Sequence, residues 1–306
     1  MVSADNLPFD VLPLVFRNLS CATDLLSIAL ASKAFNGAAI PLIYNSIIVN
    51  VAVVKKLAKK AQSPFQTLIN RPALHRFPQS ISISAVPLDR GHISEQFYIT
   101  LAIIVPKLVN LSSFTFNAQA FLPALLPGLA NLLRITEISV LADTLDCEQA
   151  KLLLQIGQKS PYSQQARGLR RISIHSPSPS VLDTLPEWIE RNGPSIESLS
   201  VKDSALVTSS FVRPLLDHAR NLTHLSLTRC PNLDHWSLMK QLEAVPRLSK
   251  LQLGIFTYSP FSGLPHHLNS LKHLSLYFMI SKPVESAHKI KMIFSGNVDH
   301  TSSFTL

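Results

Sequence analysis

The chain has 306 residues, of which 46% are hydrophobic and 15% charged, which suits one large domain or two smaller ones and excludes a disordered chain. Its cysteines, Cys21, Cys147 and Cys230, are odd in number and far apart. They exclude a disulfide framework or a paired-cysteine zinc site and predict a reducing compartment, cytoplasmic or nuclear. A formal net charge of +9 raises the question of nucleic acid, which is settled below by how the charges are arranged.

The opening MVSADN holds an acidic residue and no basic region ahead of an apolar core, so no secretory signal is predicted there. The Asn-x-Ser/Thr triplets at Asn18, Asn110 and Asn221 are then chance matches. From Leu7 to Ile47 the sequence predicts three short helices. Pro8 near the start of the first costs no hydrogen bond, and Asp10 suits the positive end of the helix dipole. Leu12, Val15, Phe16 and Leu19 fall at i, i+3, i+4 and i+7, which places them on one apolar face. A second helix is expected from a cap at Thr23 through Leu25, Leu26, Ile28, Ala29 and Leu30, and a third over Lys33 to Ala39. So small a unit has too little interior to bury its own apolar surface, and part of it is expected to face a partner.

The same stretch contains Leu7-Pro8-x-Asp10-Val11, Val15-Phe16-x-x-Leu19, Asp24-Leu25-Leu26, Ser32-Lys33-x-Phe35 and Pro41-Leu42-Ile43-Tyr44. In order and spacing these segments resemble the F-box. The resemblance implies docking onto a Skp-type adaptor and, through it, onto a cullin scaffold with a RING subunit and a ubiquitin-conjugating enzyme. It implies no chemistry by the chain itself and no cofactor. Carried onto this sequence, the adaptor face comprises Leu7, Pro8, Val11, Leu12, Val15, Phe16 and Leu19, with Leu25, Leu26 and Ile28 from the second helix. Helices that merely cap the rest of the chain are the alternative.

The F-box module is expected over residues 1–48 and a helical linker over 49–76. In VKKLAKKA, Lys55, Lys56, Lys59 and Lys60 are interleaved with Val53, Val54, Leu57 and Ala58, the pattern of an amphipathic helix with a solvated basic face. No aromatic-interleaved basic patch or zinc-finger spacing accompanies it, which argues against nucleic acid. Leu108 to Leu133 carries no charge and is long enough to span a bilayer. Asn110, Asn117, Gln119, Pro123 and Pro127 interrupt it, and no membrane span is predicted.

From there one phrase recurs: a leucine or isoleucine, two variable residues, an apolar residue, a variable residue and another apolar residue. It appears as LSSFTF from Leu111, ITEISV from Ile135, LRRISI from Leu169, IESLSV from Ile196, LTHLSL from Leu222, LSKLQL from Leu248 and LKHLSL from Leu271. Most intervals match the roughly 20 to 29 residues of a leucine-rich repeat, and the copy from Leu222 extends to Cys230 and Leu233 as in the cysteine-containing repeats often joined to F-boxes. Helical segments lie between the phrases from Val181, Val207 and Asp234, while Pro106, Pro194 and Pro246 mark helix ends. A weaker strand is expected around Ile81 to Ile83.

The predicted fold is thus α/β: three N-terminal helices, then a leucine-rich-repeat solenoid over 77–280 with a parallel sheet inside and helices outside. Strands stack at about 4.8 Å and helices at about 10 Å, so such an array must curve. Residues 281–306 are expected to cap it or to be a tail, with Ile290, Met292 and Phe294 alternating like a strand. Cys230 is expected to be a small buried turn residue, although pairing with His235 for catalysis is formally open. No phosphate loop, zincin pair or nucleophile elbow occurs.

Strand alternation turns the residues between the apolar positions toward the concave face. They form a central ladder of Thr115, Ser139, Ser173, Ser200, Ser226, Gln252 and Ser275, uncharged and easily approached. Arg171, His175, Lys202, His224, Lys250, His273 and Tyr277 flank it in the later repeats, opposed by Glu137. Together with Ser226 and Gln252 they are the expected substrate-binding residues, suited either to an acidic or phosphorylated segment or simply to contact with water.

Overall fold

A computed structural model of the chain describes residues 8–19, 21–57, 63–89, 92–118, 123–157, 168–256, 270–279 and 289–293, in two compact units, Met1–Ala118 and Gln119–Leu306. The first unit opens with α1 (Leu12–Phe16), α2 (Ala22–Ala31) and α3 (Lys33–Ile43). Pro13 lies in the first turn of α1, where its missing N–H costs nothing. Cys21 rather than Thr23 takes the extended position that caps α2, and the Thr23 hydroxyl meets the Cys21 thiol at 2.7 Å. Ser32 caps α3 by accepting from the Phe35 amide at 3.1 Å. This helix continues past Ala39 and through Pro41, holding Ala38 and Ala39 buried. Leu12, Phe16, Ala29, Ala38 and Ala39 form one buried cluster, with Phe16 and Phe35 edge to face at 5.5 Å.

Within the stretch expected to be a helical linker, Phe65, Leu68 and Leu74 are buried in this unit. A strand that the phrase pattern did not predict, β1 (Ser46–Val49), straddles the expected boundary at residue 48. It is followed by α4 (Val51–Leu57) and α5 (Pro64–Asn70), and Phe65 and Leu68 of α5 are fully buried. Lys59 and Lys60 lie outside the described residues. β1 pairs in parallel with β2 (Ser80–Ile83). A short hairpin of β3 (Leu88–Asp89) and β4 (His92–Ile93) leads to α6 (Glu95–Ile104) and then to β5 (Ser113–Phe116), parallel to β2 on its other side. Ile81, Ile83, Phe114 and Phe116 point to the buried side. Phe65 and Phe97 stand edge to face at 5.6 Å, and Tyr98 continues this aromatic layer to Phe116.

The second unit repeats strand, turn and helix: α7 (Leu126–Ala130), β6 (Glu137–Leu141), α8 (Cys147–Gln155), β7 (Arg171–His175), α9 (Pro179–Asn192), β8 (Ser198–Lys202), α10 (Ser209–His218), β9 (His224–Thr228), α11 (His235–Gln241), β10 (Lys250–Phe256) and β11 (His273–Met279). The strands β6 to β11 are parallel neighbours in chain order, as a leucine-rich-repeat array requires, and β12 (Lys289–Ile293) closes the edge antiparallel to β11. Phe294, expected in that last strand, lies outside the described residues.

The phrase explains the packing. Ile138, Val140, Ile172, Ile174, Leu199, Val201, Leu225, Leu227, Leu251 and Leu253 are all buried, one alternating set per strand. The helices α8 to α11 each have a polar residue at the entry. Asp146 and Gln149 form a capping box on α8, and Ser178, Thr208 and Asp234 cap α9, α10 and α11. The Trp188 indole donates to the Ile156 carbonyl at 3.2 Å, fastening α9 to the preceding repeat. In three consecutive repeats the residue after the strand has positive φ: Ser176 at 45°, Asp203 at 60° and Arg229 at 56°. The chain thereby turns out of the sheet at the same place each time. Among the described residues no helix is long and apolar enough to cross a membrane; the described part of Leu108 to Leu133 contains β5 and α7 instead.

Candidate functional site

On the helical cluster, the predicted adaptor face divides into an inner and an outer set. Leu12 and Phe16 are turned inward at 2% and 5% exposure, which corrects their assignment to a partner-facing surface. The physical reason is that α1 has five residues and supplies two of the few large side chains around which these helices can close. Leu19, Leu25 and Ile28 are partly buried against the same cluster, and Val11 is half-buried. Pro8, Val15 and Leu26 are exposed, while Leu7 lies outside the described residues. Phe9, Leu14 and Leu30 were not expected on this surface, yet Leu30 is 87% exposed. The four-residue step from Leu26 to Leu30 was the available signal, since it repeats on one side of α2.

On the second unit, the strand register brings the expected substrate-binding residues onto one polar face. Glu137, Arg171, Ser198, His224, Lys250 and His273 are consecutive partners across β6 to β11. The next outward row is Ser139, Ser173, Ser200, Ser226, Gln252 and Ser275. Beyond it lie Leu141, His175, Lys202 and Thr228 in register, with Gly254 opposite Tyr277. A floor of mostly short side chains therefore runs between two rows of mostly longer ones.

This floor is less open than its residue types suggest. Ser226 and Ser275 are 9% and 5% exposed, and the Ser200 and Ser226 hydroxyls are buried without a hydrogen-bond partner among the described residues. Ser226 is thus not directly accessible as expected, because a serine flanked by longer neighbours is overshadowed by them.

The charge is also smaller than a count of basic residues implies. Arg171 pairs with Glu137 at 2.6 Å and Arg229 with Asp203 at 2.6 Å. His224 accepts or donates a hydrogen bond with the Thr223 hydroxyl at 2.7 Å. Burial, followed by Lys250, Arg171 and His273, pushes its pKa below the usual imidazole value, with Glu197 acting in the opposite direction. His175, 3.3 Å from the Ser173 hydroxyl, is likewise pushed down by burial, Lys202 and Arg229 against Asp203. In both, the shift favours the neutral ring. Lys202 and Lys250 have no carboxylate at ion-pairing distance among the described residues.

Cys230 has no exposed surface, and burial raises its thiol pKa to about 11. His235 directs Nε2 to the Gly254 carbonyl at 2.9 Å. These two groups therefore form no nucleophile–base pair, and Cys230 fills the turn after β9, with its sulfur 3.6 Å from the Thr228 carbonyl.

No family model matches the sequence, and no curated protein does so significantly. Among solved structures, the chain resembles the one described as a TLR13–ssRNA13 complex over 64% of its length and 25% of that chain, at 15% identity and a TM-score of 0.36. It resembles internalin C2 from Listeria monocytogenes str. 4b F2365 over 89% of both chains, at 13% identity and a TM-score of 0.35. The chain thus spans about a quarter of the TLR13 chain. Both are leucine-rich-repeat proteins, but likenesses this distant bear on nothing beyond that, and the repeat assignment rests on the strands of this chain.

Proposed function

We propose that the chain is the substrate-recognition subunit of a cullin–RING ubiquitin ligase, with its N-terminal helices docking on a Skp-type adaptor and its repeats binding a protein substrate. The observation that carries this reading is the ordered set of F-box-like segments between Leu7 and Tyr44. It is supported by the exposure of Val15, Leu26 and Leu30 on the helices of that stretch, apolar groups whose burial in an interface contributes about 1.5 to 3 kcal/mol each before association costs. The repeat array supplies a separate surface for protein–protein interaction. Holding a substrate lysine near a charged conjugating enzyme raises its effective concentration, so the receptor accelerates transfer with no catalytic group of its own.

The inward packing of Leu12 and Phe16 favours a second reading, a non-enzymatic repeat scaffold or regulator whose helices stabilise the chain and never deliver a substrate. Reconstitution separates the two. If the chain joins adaptor, cullin and RING subunit, and a protein tethered to its repeats is then ubiquitinated, the ligase reading stands. A chain that holds its binding partner but never enters such an assembly is a scaffold.

A further inference from the structure

Buried polar atoms are almost always hydrogen-bonded, so the unpartnered hydroxyls of Ser200 and Ser226 are a specific anomaly. They sit side by side on β8 and β9, in the floor between the two rows of longer side chains. Lys202 belongs to one of these rows and Lys250 to the other. The arginines nearby, Arg171 and Arg229, are already held by Glu137 and Asp203. The positive charge at Lys202 and Lys250, left without a carboxylate partner among the described residues, is therefore that of lysine, a compact point charge that pairs with an anionic oxygen without a bidentate geometry. Tyr277 is the one Phe, Tyr or Trp residue in these rows, so bases find few large rings to stack on.

We propose that this valley takes an extended acidic polypeptide segment, whose Asp or Glu carboxylates pair with Lys202 and Lys250 on either side of the Ser200–Ser226 floor. The register sets the spacing. Lys250 lies two strands from Lys202, and four residues before Gly254 at the other end of β10, so the segment crosses the strands diagonally. From strand spacing and rise, the two lysine backbone positions are about 16 Å apart, and because side chains of an extended chain alternate faces, the acidic residues fall about four or six positions apart. This rests on the substrate-receptor reading for its biological meaning but not for its geometry.

The test uses the full-length chain and a fluorescent Ser/Gly peptide carrying two Glu pairs about five residues apart, so that both spacings are present, titrated at low ionic strength. Lys202→Glu or Lys250→Glu is expected to weaken binding about tenfold, Lys202→Gln and Lys250→Gln by less, and Lys55→Glu/Lys56→Glu in the first unit not at all. Thermal melts confirm that each variant is folded. Equal binding of the same peptide with Gln for Glu overturns the proposal. So does binding only after serine phosphorylation, stronger binding of oligouridylate RNA at this face, or indifference to the lysine reversals. Adaptor capture is measured on the same samples: its failure with peptide binding intact sinks the ligase reading alone, and the converse sinks this inference alone.

Discussion

Across β6 and β7 the Arg171 guanidinium reaches the Glu137 carboxylate at 2.6 Å. This pairing takes the one arginine of its row out of the field that an acidic ligand meets. Glu137→Gln is therefore expected to strengthen binding of the acidic peptide about threefold, whereas Arg171→Gln weakens it by a comparable factor, because it leaves the Glu137 carboxylate unpaired on the face the peptide meets. Peptide titration of the two variants checks this; a large loss in Arg171→Gln would show that the arginine, not the lysines, is the anchor.

The two histidines give the polar face a pH dependence with a defined sign. His224 faces Lys250, Arg171, His273 and Glu197, and His175 faces Lys202, Asp203 and Arg229; both have depressed pKa values in the folded chain. Below the ordinary value of about 6.5 the unfolded chain takes up these protons first, so stability falls as pH falls through that region. The melting temperature should drop between about pH 7 and pH 5, and by less in a His175→Gln/His224→Gln variant. A bound acidic segment favours the protonated rings, so peptide affinity should rise over the same interval in the natural chain and stay flatter in the variant. Identical profiles would remove the histidines from the account.

Two glycines separate close backbone packing from loose surface contact. A Cβ at Gly193 would lie 2.3 Å from the His218 carbonyl oxygen, where the end of α9 meets the end of α10, whereas one at Gly37 would meet only the exposed Phe9 ring, at 3.2 Å. Gly193→Ala is expected to cost about 1 to 3 kcal/mol, because backbone must move. Gly37→Ala, within α3, is expected to be neutral or stabilising by up to about 1 kcal/mol, since alanine favours the helix and Phe9 can swing aside. Denaturant melts of both variants measure the difference.

The thiols should react in a set order. Cys21 is exposed, and hydrogen bonding from Thr23 lowers its pKa; Cys147 is exposed, and Cys230 is buried with its pKa raised to about 11. Titration of the native chain with a thiol reagent should modify Cys21 first, then Cys147, and reach Cys230 only on unfolding. Rapid native labelling of Cys230 would mean that the turn after β9 opens.

What the sequence disclosed follows from which physical signals are local. Alternation with period two fixed which residues of β5 to β11 point inward, because a strand exposes its pattern residue by residue, and Cys230 took its turn position for the same reason. β1 escaped because its SIIV has no leading leucine and leaves Ile48 55% exposed. The helical face of Leu12, Val15, Phe16 and Leu19 assumed a long helix; in the five residues of α1 the i, i+4 pair Leu12 and Phe16 goes inside and Val15 stays out. Register named the residues of the polar face but not their pairing, so neither the Arg171–Glu137 bridge nor the downward shift of the two histidines could be read from residue types alone.

The most direct test of the ligase reading is calorimetric titration of the purified chain with a Skp-type adaptor. Val15→Asp/Leu26→Asp serves as the comparison, because both positions are exposed and the Leu12–Phe16 cluster is left intact. The account predicts one-to-one binding by the natural chain and its loss in the variant at unchanged melting temperature. No binding by the folded natural chain, or equal binding by both, would contradict it.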